Sequence, residues 1–133
     1  MIELYSFGYK NKLFKDFVSN AKKIGMKALI DTRFNPHCFS PFWKYSTLVE
    51  AVPFFGMEYH HVKELGNTKY FEKGTIDILN MKNGIKKVEE IADEWDCDKI
   101  CLLCTCENLE LCHNNIVIKE LEKTNKYIYK SRL

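Results

Sequence analysis

The chain has 133 residues, close to the ~150 that serve as a soft measure of one domain, so a single domain over residues 1–133 is expected. A composition of 46% hydrophobic, 14% aromatic and 29% charged residues matches soluble globular domains and excludes the weakly hydrophobic, highly charged disordered class. A net charge of +2 gives no field that argues for a polyanionic partner. No run of apolar residues approaches the ~20 of a membrane span, and the opening Met1-Ile2-Glu3-Leu4-Tyr5 has neither the basic nor the apolar region of a secretion signal. The expectation is a cytoplasmic protein with no membrane partner.

Residues Ile2 to Phe7 form a short apolar run stopped by Gly8, which predicts a buried strand. Leu13, Phe14, Phe17, Val18, Ala21 and Ile24 then repeat with the period of one helical face, and Gly25 supplies a stop. Lys27 to Ile30 reads as a second strand ending at Asp31, followed by a long loop from Thr32 to about Tyr45. Thr47 and Glu50 have the spacing of a capping box for a short helix, interrupted by Pro53 and ended by Gly56. Met57 to Val62 predicts a third strand, and an irregular stretch runs from Leu65-Gly66-Asn67 to Gly74. Ile85, Val88, Ile91, Ala92 and Trp95 have helical spacing, Lys99–Cys104 reads as a fourth strand, and Val117, Ile118 and Leu121 mark a helix within Leu111 to Lys123. Tyr127 to Tyr129 is a weak last strand.

Short strands alternating with amphipathic helices are the sequence form of βαβ crossovers. They predict a three-layer α/β/α, Rossmann-like domain with a mainly parallel sheet of about five strands. Ligands of such sheets bind at the carboxyl ends of the strands, where strand order reverses. Those ends collect Gly8, then Asp31 and Arg33, then His60 and His61, then Cys104, Cys106 and Glu107 leading to Cys112 and His113.

Each has a plain structural reading beside a functional one. Gly8 is either a turn glycine or a point of close approach. Asp31 and Arg33 flank Thr32, which suits either an internal ion pair or a fork for a carboxylate or phosphate. The chain has two arginines, and Arg132 stands beside the end of the sequence, so Arg33 draws the functional assignment. His37, Cys38 and Ser40 are loop residues that suit ligand contacts or simple solvation. Phe39, Phe42, Trp43 and Tyr45 offer either a stacking wall or a cover over the sheet edge. His60 and His61 are adjacent on a strand, so at most one faces the site.

The strongest local pattern is Cys104-x-Cys106-x5-Cys112-His113. A thiol at a helix N-terminus beside an imidazole is a candidate thiolate nucleophile. The same Cys104, Cys106, Cys112 and His113 are also a legitimate zinc ligand set, although the spacing is not that of paired zinc-ribbon cysteines. Five of the six cysteines lie between Cys97 and Cys112, which suits a site of reduced thiols better than a disulfide framework.

Together these segments are similar to domain-of-unknown-function family 488, a group of small bacterial and archaeal α/β proteins. Tyr5-Ser6-Phe7-Gly8-Tyr9 resembles its opening strand, and Asp31-Thr32-Arg33-x-x-Pro36 resembles its D-[VT]-R-x-x-P turn. Gly56-Met57-Glu58-Tyr59-x-His61 with Glu64-Leu65-Gly66, and Leu103-Cys104-x-Cys106-Glu107 with Cys112-His113, resemble its two later segments. Asn114 stands where the family commonly has arginine, and Asn67 where a second glycine is usual. The resemblance implies a fold and a site and leaves the reaction open.

The expected function is a cysteine-dependent hydrolase or transferase acting on an anionic substrate, a nucleotide or nucleic-acid component being the favoured class. Cys112, His113, His61 and Asp31 form its catalytic set, and Gly8, Arg33, Cys104, Cys106 and Glu107 contact substrate. No cofactor is required in this reading, and Arg33→Ala or Cys112→Ser is expected to change stability little. The alternatives are a nucleotide or nucleic-acid binding module with structural cysteines, and a zinc-stabilised structural protein.

Overall fold

The computed structural model describes every residue except Cys38 and Phe39. Five strands, β1 (Ile2–Gly8), β2 (Ala28–Asp31), β3 (Glu58–His61), β4 (Lys99–Cys104) and β5 (Tyr127–Arg132), form one sheet in the order β3-β2-β4-β1-β5. Every pairing is parallel. The connecting helices are α1 (Phe14–Ile24), α2 (Tyr45–Phe54), α3 (Met81–Glu94) and α4 (His113–Glu122). None of the helices is long and apolar enough to cross a membrane among the described residues.

The alternation of strand side chains sorts two cores. Leu4, Ile30, Ile100 and Leu102 pack on one face against Val88 and Ala92 of α3 and Val117, Ile118 and Leu121 of α4. Tyr5, Phe7, Leu29, Cys101 and Leu103 pack on the other against Phe17, Val18 and Ala21 of α1 and Leu48 and Val52 of α2. A sheet buried on both faces needs hydrophobic residues at consecutive positions, which is why these strands read as continuous apolar runs. The result is the three-layer α/β/α fold that the periodicity predicts.

Two local outcomes differ from the sequence reading. The capping box at Thr47 does not form: α2 begins at Tyr45 after Lys44, and Thr47 Oγ1 donates to Pro41 O at 2.6 Å. Trp43 sets that earlier start, because its ring is buried against Phe7, Phe14 and Phe17 and anchors the incoming chain. It therefore belongs to the core and not to a stacking wall. The last strand is also longer than its weak pattern suggests, running to Arg132 beside Ser6 of β1.

The chain steps outward from β1 to β2 and β3, then returns to insert β4 between β2 and β1. That reversal places the carboxyl ends of β1, β2 and β4 side by side, with Gly8 in register with Cys104 and Asp31 in register with Leu103. Such a reversal is where an open α/β sheet leaves a crevice.

Candidate functional site

At the end of β2, Arg33 folds back onto Asp31. Its Nε donates to Asp31 Oδ1 at 2.8 Å and its Nη2 to Oδ2 at 2.6 Å, while the Arg33 backbone N–H donates to Oδ1 at 3.1 Å. Tyr59 of β3 donates its hydroxyl to Asp31 Oδ2 at 2.5 Å. The guanidinium also lies over the Tyr9 ring, 5.2 Å from its centroid. Asp31 and Arg33 are 0% and 5% exposed. The internal ion pair is present, and Arg33 also lines the cleft described below. Arg33→Ala, which the sequence reading expects to change stability little, would strip the counterion from a buried carboxylate.

Thr32 is the hub between β2, β4 and α4. Its backbone N–H donates to Leu103 O at 3.0 Å, and its Oγ1 lies 2.6 Å from Asn114 Oδ1 and 3.1 Å from His113 Nε2. His113 Nε2 is also 2.9 Å from the Thr32 carbonyl oxygen. A carbonyl only accepts, so Nε2 carries the proton and Nδ1 is left as an acceptor. Burial holds the His113 pKa below its usual value, against the pull of the Thr32 carbonyl. The ring is thus neutral, with Nδ1 3.8 Å from Cys112 Sγ.

The thiols meet where β4 runs through a short 3₁₀ turn, Leu109–Leu111, into α4. Cys112 is the N-cap of α4, its sulfur accepting from the Asn114 N–H at 3.5 Å. Its Sγ also lies 3.0 Å from Cys104 Sγ. The sulfurs of Cys104, Cys106 and Cys112 all fall within 4.8 Å of one another and could together hold a metal ion. Cys104 and Cys112 are buried and Cys106 is half-buried. The neighbouring thiols of Cys104 and Cys112 lower the Cys106 pKa, while contacts with Cys104 and then Cys106, together with burial, raise that of Cys112. The five described cysteines are unpaired; Cys38 lies outside the described residues.

A cleft of about 280 Å³ opens above this cluster, walled by Arg33, Phe34, Tyr70, Lys73, Cys106 and His113 among others. Cys112, the expected nucleophile, is 1% exposed and does not line it. A helix N-terminus orients a thiol but does not expose it, and here the capping geometry turns the sulfur inward. Cys106 takes the position facing the cleft.

The remaining expected residues are dispersed. His61 Nε2 sits 2.7 Å from Arg33 O and its ring packs by Tyr45, on a separate shallow recess shared with His37 and Lys63. His60 faces away, toward Glu58 and Trp95. Glu107 accepts from Asn11 Nδ2 at 2.6 Å on the surface and does not line the cleft. Gly8 is a point of close approach, and what approaches is backbone: a Cβ there would overlap Cys106 O. Asn114 is fully buried, its Oδ1 2.6 Å from Thr32 Oγ1, and does not line the cleft.

Three contributors went unassigned in the sequence. Tyr59 completes the Asp31 cage, Arg132 donates to Cys106 O and to Ser6 Oγ, and Asn67 ties the cleft wall to Thr75 O and the Asp77 N–H. Asn67 carried a readable signal, since an asparagine side chain accepts from the backbone N–H two residues on, here Lys69, and so favours such turns. Arg132 carried none, because its partner is distant in sequence.

The all-parallel sheet of this three-layer α/β/α, Rossmann-like fold carries a thiol cluster and a buried Asp–Arg pair at its strand ends, beside a cleft. The chain belongs to the family described as Domain of unknown function DUF488, whose model matches residues 13–121. No curated protein and no solved structure matches the chain.

Proposed function

We propose that the protein is a cysteine-dependent enzyme in which Cys106 Sγ attacks an electrophilic centre of a small substrate held in the cleft. One observation carries this reading: among the clustered thiols, Cys106 lines the cleft while Cys104 and Cys112 are buried beneath it. His113 Nδ1 serves as the proton acceptor of the cluster, oriented by its Nε2–H bond to Thr32 O. Phe34 and Tyr70 suit a planar or apolar portion of the substrate, and Lys73 suits an anionic group. Asp31 and Arg33 act as a positioning pair that fixes the end of β2, and Cys112 as a partner of the nucleophile.

Labelling with limiting iodoacetamide followed by peptide mass mapping tests this. The expected result is modification of Cys106 ahead of Cys97, Cys101, Cys104 and Cys112, lost in Cys106→Ser. Metal-free protein in which Cys106 stays unmodified would sink the reading.

A metal centre is the second reading, favoured by the 4.8 Å cluster of sulfurs. Three thiolates are a good zinc set. The His113 Nε2–H bond to a backbone carbonyl is the arrangement that orients a metal-ligating imidazole. Metal analysis of the purified chain separates the two readings. Stoichiometric zinc that shields Cys106 from iodoacetamide until a chelator removes it would replace the first with the second.

A further inference from the structure

A single nucleophile needs no further thiols, yet two more sulfurs lie against Cys106. Cys104 and Cys112 Sγ are 3.0 Å apart, and all three sulfurs are within 4.8 Å. A disulfide requires ~2.05 Å between sulfurs, so the Cys104–Cys112 pair can close with a small side-chain shift. Both members are buried and cannot meet an external disulfide themselves. Cys106 stands between them and the cleft, in the position of a relay.

We propose that this cluster catalyses thiol–disulfide exchange with small-molecule disulfides, Cys106 attacking from the cleft and the buried Cys104–Cys112 pair receiving the oxidation. The proposal rests on Cys106 as the attacking thiol and names the reaction. The Cys106 thiolate attacks one sulfur of R–S–S–R, the S–S bond breaks, and RS⁻ leaves, giving a Cys106 mixed disulfide. Cys112 gives its proton to His113 Nδ1 and attacks Cys106 Sγ, expelling the second RS⁻. Cys104 then attacks Cys112 Sγ and releases Cys106 as thiolate. The protons of Cys104 and Cys112 end on the two RSH products. The substrate disulfide is reduced by two electrons, and the protein is oxidised by two electrons as a Cys104–Cys112 disulfide. A low-molecular-weight thiol resets it by the reverse exchange.

The arrangement also accounts for the shape of the site. The cleft, about 280 Å³ in volume and partly walled by Phe34, Tyr70, Ile76 and Leu111, admits a small disulfide and keeps large folded partners from the sulfurs. The Nε2–H bond of His113 to Thr32 O leaves Nδ1 as the acceptor, 3.8 Å from the resolving thiol.

The test treats the full chain, stripped of metal by a chelator, with bis(hydroxyethyl) disulfide, quenches with iodoacetamide and maps the products by mass spectrometry. The expected product is lighter by two hydrogens, with Cys104 joined to Cys112 and Cys106 free to be alkylated. Cys112→Ser is expected to stop at the Cys106 mixed disulfide, and Cys106→Ser to lose the reaction while keeping its melting temperature. A lasting mixed disulfide on Cys106 of the unsubstituted chain, with no internal bond, overturns the exchange and leaves Cys106 as a nucleophile. A Cys104–Cys106 link in Cys112→Ser overturns the order of steps. Cys106 inert to both the disulfide and iodoacetamide overturns the underlying reading as well.

Discussion

Arg33 closes back onto Asp31, two residues earlier, and occupies both of its carboxylate oxygens at 2.8 and 2.6 Å. Because Asp31 is 0% exposed and Arg33 5% exposed, neither charge has water to fall back on, and each makes the other tolerable. Arg33 itself lines the cleft, next to Phe34.

Removing one partner should therefore be costly. Asp31→Ala is expected to destabilise the fold by about 3–5 kcal/mol, the range for an uncompensated buried charge. Tyr59→Phe loses one charge-assisted hydrogen bond and should cost about 1.5–3 kcal/mol. Urea denaturation of both variants checks the order, and an Asp31→Ala variant as stable as the parent would refute the internal role of the pair.

The sheet was legible in the sequence because strands buried on both faces must be apolar at consecutive positions, as Ile100 to Leu103 are. The helices α1 and α3 were legible for the complementary reason that each has one buried face. Parallel strands bring their carboxyl ends to one edge, and Arg33, Cys106 and His113 line one cleft there, whereas Asp31 and Cys112, expected in the same pocket, are buried and do not line it. What the sequence did not contain was exposure. Cys104, Cys106 and Cys112 are chemically alike, and which one meets the cleft is decided by the turn at Leu109–Leu111 and by the Cys112 cap. The cleft wall from Asn67 to Ile76 has no periodicity to read, and it is held by side-chain to backbone bonds.

Gly84 lies inside α3, where alanine normally gains roughly 0.5–1 kcal/mol over glycine. Here a Cβ would come within 2.6 Å of Leu65 Cγ, and Leu65 is fully buried. Overpacking of that kind costs about 1–3 kcal/mol, so Gly84→Ala should lower the melting temperature despite its helix propensity. Adding Leu65→Ala should cost less in the Gly84→Ala background than alone, because the two changes share one space. Strict additivity would show that the glycine is not there for packing.

Glu64, in the turn after β3, pairs with Lys87 of α3. The hydrogen bond from Lys87 holds the Glu64 carboxyl below its ordinary range, against the opposing effect of burial. A folded-state pKa below the unfolded value of ~4.3 means that the unfolded chain binds the proton first as pH falls. The stabilisation is complete above that pH and is lost as pH drops through the folded value. Lys87→Met should flatten the acid limb of the stability profile below pH ~5 and change neutral stability by no more than about 1 kcal/mol, as for a pair open to solvent. An unchanged acid limb would mean that the pair contributes nothing.

Gly8 and Cys106 test the coupling between the strand ends and the thiol cluster. A Cβ at Gly8 would overlap the carbonyl oxygen of Cys106 and crowd Arg132 Nη2, which donates to that same carbonyl. The neighbour is backbone and cannot rotate away, so Gly8→Ala must displace the Thr105–Cys106 segment or the end of β1. The expected cost is about 1–3 kcal/mol, together with a changed rate of Cys106 alkylation by iodoacetamide. Arg132→Met removes the guanidinium and leaves the backbone in place, so its effect should be milder on both measures. It should not rescue Gly8→Ala in combination, because the overlap with the carbonyl persists. If Gly8→Ala instead keeps both its melting temperature and its Cys106 alkylation rate, the close approach of β1 to Cys106 is not what positions the thiol, and the turn at Leu109–Leu111 must do so alone.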